Sequence, residues 1–146
     1  MGSAALMAEA ALGALYKAVR TRLLTNQTVW GTRVYADLAP PSASRPYCVY
    51  AWSSGGELNS LVRQDAEITL IVKCIADTMS DGMAGAELIS GLLNDADLSS
   101  ADALDGGDDW YILHVVQLQV VHMRELVDGR DVYHEGHRFS FRMEGK

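Results

Sequence analysis

The run Ala66–Ala76, AEITLIVKCIA, alternates Ile68, Leu70, Val72 and Cys74 with Thr69, Ile71, Lys73 and Ile75. A period of two places one continuous apolar face toward a core, which is the pattern of a strand and not of an amphipathic helix. Such a strand needs partners along its edges and a layer over its apolar face.

A first partner lies upstream. Tyr47–Trp52 sets Tyr47, Val49 and Ala51 against Cys48, Tyr50 and Trp52, both apolar, so this strand is expected to be covered on both sides. Ser53–Asn59, with Gly55 and Gly56, reads as a polar loop, and the two runs as a hairpin with a long connection. Arg33–Tyr35 makes a short strand before it. The stretch Gly31–Tyr50, GTRVYADLAPPSASRPYCVY, holds all three prolines. Pro40 and Pro41 fix φ at about −65° and bias Ala39 toward extended backbone, and Pro46 does the same to Arg45. That favours a fixed corner over a linker or a catalytic loop.

Two helices flank these strands. In Ala4–Leu24 the residues Ala8, Leu12, Leu15, Val19 and Leu23 recur at helical spacing, and Asn26 with its neighbouring threonines stops the helix. A second helix runs to about Asn94 on the face Gly85, Leu88, Ile89, Leu92 and Leu93, with Ser80 or Asp77 as its N-cap. Asp95–Asp109, DADLSSADALDGGDD, reads as a solvated acidic loop. Trp110–Met123, WYILHVVQLQVVHM, is a long strand with Trp110, Ile112, His114, Val116, Leu118 and Val120 on one face and Gln117 and Gln119 on the other. It is long enough to pass the edge of a small sheet and pair with another subunit. Arg124–Gly136 is a charged connection turning at Asp128-Gly129, and the chain closes on Phe139, Phe141 and Met143. The fold class expected is α+β: an antiparallel sheet of four to five strands with two helices packed on one face, in one domain spanning residues 1–146.

Composition narrows the function. A chain of 146 residues with 49% apolar and 21% charged residues can bury one core. A net charge of −7 argues against a broad phosphate-binding surface. The N-terminal run carries Glu9, Lys17, Arg20 and Arg22 and lacks a basic region ahead of an apolar stretch, so neither a signal peptide nor a membrane span is expected. Cys48 and Cys74, each in an apolar run, read as small buried hydrophobes and not as a disulfide.

Candidate chemistry is sparse. His114, His122, His134 and His137 include a His-x-x-His pair, but no second pair completes a four-ligand zinc pattern. Asp102, Asp105, Asp108 and Asp109 lack the order of a calcium loop, and Ser53, Ser54, Gly55 and Gly56 form neither a nucleophile elbow nor a phosphate loop. Asp37 and Arg45 read as a surface charge pair. No catalytic residue, cofactor or metal is expected.

The order of elements, with Gly31, Arg33, Val34, Tyr35, Pro40, Pro41, Pro46, Tyr47, Val49 and Tyr50 and the terminal Gly136, Phe139 and Phe141, resembles the tail completion or tail terminator proteins of long-tailed bacteriophages. The resemblance covers about residues 10–143, and the acidic Asp95–Asp109 departs from the pattern. It implies a non-enzymatic virion protein, assembled in the host cytoplasm. At the tail-neck junction such a protein caps the tail tube as a ring, commonly hexameric. Its implied partners are further copies of itself, the tail tube protein and a neck or head-completion protein, with DNA passing the lumen without specific binding and no membrane. A head-to-tail neck adaptor on the portal side and a small intracellular enzyme are the alternatives. The expected axial contacts are two loops: Gly55, Gly56, Leu58, Leu61 and Arg63 in the first, and Arg124, Asp128, Arg130 and His134 in the second.

Overall fold

A computed structural model of the chain describes residues 4–25, 27–58, 65–94, 107 and 109–146. The elements are α1 (Ala4–Leu23), β1 (Val34–Ala36), β2 (Tyr47–Leu58), β3 (Asp65–Ala76), α2 (Met79–Leu93), β4 (Trp110–Val127) and β5 (Arg130–Gly145). They form a five-stranded sheet in the order β1-β2-β3-β5-β4 with both helices on one face, an α+β fold.

β3 lies at the centre, antiparallel to β2 on one side and to β5 on the other. Its alternation is realised: Ile68, Leu70, Val72 and Cys74 are buried under the helices. Leu15, Val19 and Leu23 of α1 and Ile89 and Leu93 of α2 close over them, with Phe139, Phe141 and Met143 from β5. Trp30, fully buried, fills the space behind the end of α1 and donates from Nε1 to the Leu23 carbonyl at 2.8 Å. α2 starts at Thr78, whose hydroxyl accepts from the Asp81 N–H at 3.1 Å, so the N-cap is Thr78 and not Ser80 or Asp77. The helix lies close to the sheet at Gly85, where a Cβ would collide with the Cys74 sulfur.

Three further sequence expectations change in the sheet. Ser53–Leu58 is not a loop: β2 continues through it, with Gly55 opposite Ile68 and Leu58 opposite Asp65, because β3 supplies a partner along its whole length. β1 pairs with β2 in parallel, Val34 opposite Cys48 and Ala36 opposite Tyr50, so the sheet is not wholly antiparallel. Parallel neighbours cannot be joined by a tight turn, and the proline-rich corner is the crossover that returns the chain to the start of β2. It crosses the face opposite the helices and packs Ala39 onto a small cluster of Val49, Ile75 and Val132.

β4 supplies the third change. Its register slips between Ile112 and His114 and again between Gln117 and Gln119. Each bulge adds a residue and reverses the alternation that follows. Trp110, Ile112 and Val115 are therefore buried and His114, Val116 and Leu118 exposed, while the second slip returns Val120, opposite His137, to the helix face, where it is exposed beside α2. Gln117 faces α2 and accepts from the Ser90 hydroxyl at 2.7 Å.

Candidate functional site

The strand directions put two hairpins at opposite ends of the sheet. β2 and β3 meet at the end defined by Leu58 and Asp65, beside Glu144 of β5. Gly55, Gly56 and Leu58 stand on the last turns of β2, while Leu61 and Arg63 lie outside the described residues.

β4 and β5 meet at the other end, through Asp128 and Gly129. Both have positive φ, 50° and 78°, as a two-residue turn that follows the strand twist requires. The Arg124–Gly136 connection is thus much shorter than expected. Arg124 and Arg130 belong to exposed strand ends, and Arg124 Nε lies 3.8 Å from Asp131 Oδ1. The register with β3 ends at Ala76 opposite Tyr133, so the tip of this hairpin extends past the central strand. His134 does not project with it. It is buried on β5, its Nε2 lies 3.7 Å from Glu125 Oε1, and burial, followed by the nearby Lys73 charge, lowers its pKa.

The two edges of the sheet differ. β1 is three residues long, and behind it the corner is fastened by short hydrogen bonds. Arg33 Nε donates to the Pro46 carbonyl at 2.9 Å, and Arg20 donates to the Val34 carbonyl at 2.6 Å. Tyr16 donates to Asp37 Oδ1 at 2.6 Å and accepts from the Trp52 N–H at 2.8 Å. Arg45 and Asp77 pair at 2.6 Å, as charged groups across the corner. The residues that carry the family resemblance are thus scaffold: Arg33 and Pro46 lock β1 to β2, and Tyr35 packs edge-on against Tyr47.

At the other edge, β4 pairs only with β5 among the described strands. Its second half exposes Val116, Leu118, Val120, Met123 and Leu126. Between β4 and α2 opens a groove of about 780 Å³ lined by Met79, Met83, Val120 and Val121, with Glu135 and His137 in its floor. Glu135 is buried, and His122 from β4 reaches its carboxylate across the strand pair through Nδ1. No sequence signal distinguished this groove: Val120 keeps the face expected for it, and the gap beside α2 is set by tertiary packing.

The remaining candidate chemistry does not converge. His134 and His137 lie an odd number of residues apart on one strand and so face opposite sides of the sheet. His137 Nε2 is 3.1 Å from the Ala86 carbonyl on α2. Among the described residues no group of three His, Cys, Asp or Glu side chains is placed to hold a metal ion. Cys48 and Cys74 stand directly opposite each other on β2 and β3 as free thiols, and burial raises both pKa values, that of Cys74 to about 12. Among the described residues no helix is long and apolar enough to cross a membrane.

No family model and no curated protein matches the chain. Among solved structures it is similar to a chain of the virion of a native gene transfer agent particle. The TM-score is 0.66 and the identity 22%, and the match covers 92% of this chain and 98% of that chain. The two chains share one fold over nearly their whole lengths.

Proposed function

We propose that the chain is a structural protein of a tailed virion that completes the tail: copies form a ring, with six subunits, on the end of the tail tube, stop its growth and present the surface that joins the neck. The observation that carries this reading is the end-to-end match in fold to a chain of a virion particle, with neither partner leaving a large unmatched segment. The geometry supports it. A ring subunit needs two sheet edges for its neighbours and two ends for what lies above and below, and this sheet has one hairpin at each end and an open strand at its edge.

In this reading the β2–β3 end, with Gly55, Gly56, Leu58, Leu61 and Arg63, and the β4–β5 end, with Arg124, Asp128 and Arg130, are the axial contacts to tube and neck. His134, being buried, supports the second end from within. The chain works without a cofactor, and its negative charge suits a lumen through which DNA slides.

Electron microscopy of the purified chain, alone and mixed with tail tube protein from the same particle, tests this. Sixfold rings seated on tube ends, with tube length arrested, are the expected result. Tubes that lengthen unchanged refute the role, and rings that bind a portal assembly instead assign the chain to the neck. At the β2–β3 end, Leu58→Asp combined with Leu61→Asp should abolish tube capping. Intact capping would remove that hairpin from the contact.

A further inference from the structure

The sheet's two edges carry features that fit one another. On the β1 side, Leu38 is 84% exposed, the most exposed large apolar residue among those described. It stands next to Asp37, whose positive φ and hydrogen bonds to Tyr16 and the Tyr50 carbonyl fix the backbone on which Leu38 is carried. Exposed Trp52 flanks the same Tyr16–Asp37 contact, since its N–H donates to the Tyr16 hydroxyl. A knob held this firmly loses little conformational entropy on docking.

β1 covers β2 only at Cys48–Tyr50, so from Ala51 to Leu58 the outer edge of β2 has no strand partner among the described residues. The far edge, four strands away, offers the apolar groove between α2 and β4 with exposed Met79, Met83 and Val120. β2 and β4 run in opposite directions within the sheet. Copies related by rotation about an axis along the strands therefore bring β4 of one beside β2 of the next in antiparallel orientation, the orientation in which a sheet continues most simply. One pair of opposite charges can complement the contact: Arg20 is exposed near the Tyr16–Asp37 contact beside the knob, and Glu87 is exposed at the groove. A stable contact needs roughly 800 Å² per partner. One leucine cannot supply that, and the proposed contact adds Trp52 and the free length of β2 laid along β4.

We propose that Leu38, with Trp52 beside it, seats in the α2–β4 groove of a second copy of this chain, so that copies join head to tail. The two patches are different, which makes the contact heterologous: each copy gives a knob and receives one, and the chain of contacts closes as a ring where the rotation closes. This contact rests on the reading of the chain as a ring subunit and names the surfaces that build the ring.

The test is sedimentation velocity of the full chain across a concentration series, with Leu38→Asp and Met83→Asp made singly. Both positions are exposed, so both variants should keep the wild-type circular dichroism; Leu38→Ser and Met83→Ser replace either one that does not. The wild type should associate beyond a dimer, and each variant should lose association by about thirtyfold or more. An equimolar mixture of the two variants should form dimers and nothing larger, because only one intact knob and one intact groove remain. A wild type that stays monomeric throughout, association that survives Leu38→Asp, or a mixture that stays monomeric would each overturn the proposal. The outcome separates from that of the tail role. Rings built on this contact that ignore tail tubes leave the contact standing, whereas tube capping by Leu38→Asp rings would leave the role standing and remove the contact.

Discussion

The two edges of this sheet are finished in opposite ways. On the β1 side a three-residue strand is locked by Trp30 behind it, Arg33 on the Pro46 carbonyl, Arg20 on the Val34 carbonyl and Tyr16 on Asp37. On the β4 side an 18-residue strand is left open, with Val120 67% and Leu126 71% exposed. Long open edges invite pairing, and chains that must stay apart blunt them with charges, prolines or covering loops. Here the prolines sit at the closed edge, and the open edge retains its apolar residues. The contrast separates buried anchors from exposed apolar residues, and the proposed contact between copies draws on the exposed residues of both edges. Substitutions of the β1-side anchors should therefore be read out as stability, and those of exposed apolar residues, Leu38 on one edge and Leu118 on the other, as association.

The strongest attempt to break that division is Trp30→Ala. The side chain is fully buried against α1 and α2, and its Nε1–H satisfies the Leu23 carbonyl. Its loss should cost about 3–5 kcal/mol, a large share of the stability of a domain of this size, and show as a collapse of the urea midpoint. A midpoint within about 1 kcal/mol of wild type would mean that the β1 side is not the anchored one.

His122→Ala probes a place where the exposed half of the open edge also bears on folding. It removes the partner of the buried Glu135 carboxylate, which should cost about 1–3 kcal/mol. Adding Glu135→Gln, which removes the buried charge, should restore much of the loss. If the double variant is less stable than the single one, the pair does not act as described.

Tyr16→Phe sharpens the account of the closed edge at a smaller scale. Burial first, and the hydrogen bond to Asp37 second, push the Tyr16 pKa up to about 12 from an ordinary 10.0. A phenol that holds its proton more tightly when folded contributes stability that is fully present below about pH 10 and lost as pH rises toward 12. The phenylalanine variant should lose about 0.5–1.5 kcal/mol at neutral pH, where two hydrogen bonds disappear. It should also unfold less steeply between pH 10 and 12. Tyr47, Tyr50 and Cys74 also titrate upward and leave a residual slope, so the measurement is the difference between the two chains. Equal slopes would show that the Tyr16–Asp37 contact does not hold the corner.

How much of this was legible in the sequence follows the same boundary. β3 could be read residue by residue, because a central strand paired on both sides has no freedom to slip and its alternation reports one buried face. The Asp128-Gly129 turn was legible because few other dipeptides accept two positive φ values. The proline corner was legible as fixed, yet not as a parallel crossover, because prolines specify local backbone and not the partner strand. Ser53–Leu58 was misread as a loop because its own residues are poor strand formers, and what holds it extended lies across the sheet in β3. β4 was assigned to the right element, with Trp110, Ile112 and Val120 on the right face but His114, Val116 and Leu118 on the wrong one, since a bulge leaves no mark in composition but inverts the positions up to the next bulge. The exposure of Val116 and Leu118 follows from those inversions, so the open edge was the least legible part of the molecule.

The smallest effect on folding is expected where that misreading was greatest. Leu118 lies between Gln117 and Gln119, at the second slip of register, and is 53% exposed. An alternating strand would have buried it with Ile112, and its replacement would then open a cavity worth about 2 kcal/mol or more. Displaced outward by the bulge, it has no core to leave. Leu118→Ser should change the urea midpoint by no more than about 0.5 kcal/mol in stability. The same substitution should weaken self-association measurably if copies join as proposed, because it removes an exposed apolar residue from the strand along which β2 of a neighbouring copy would lie. A stability loss near the buried-leucine value would place Leu118 in the core and restore the unbroken alternation of β4. An unchanged midpoint with unchanged association would leave the open edge exposed for some purpose other than joining copies.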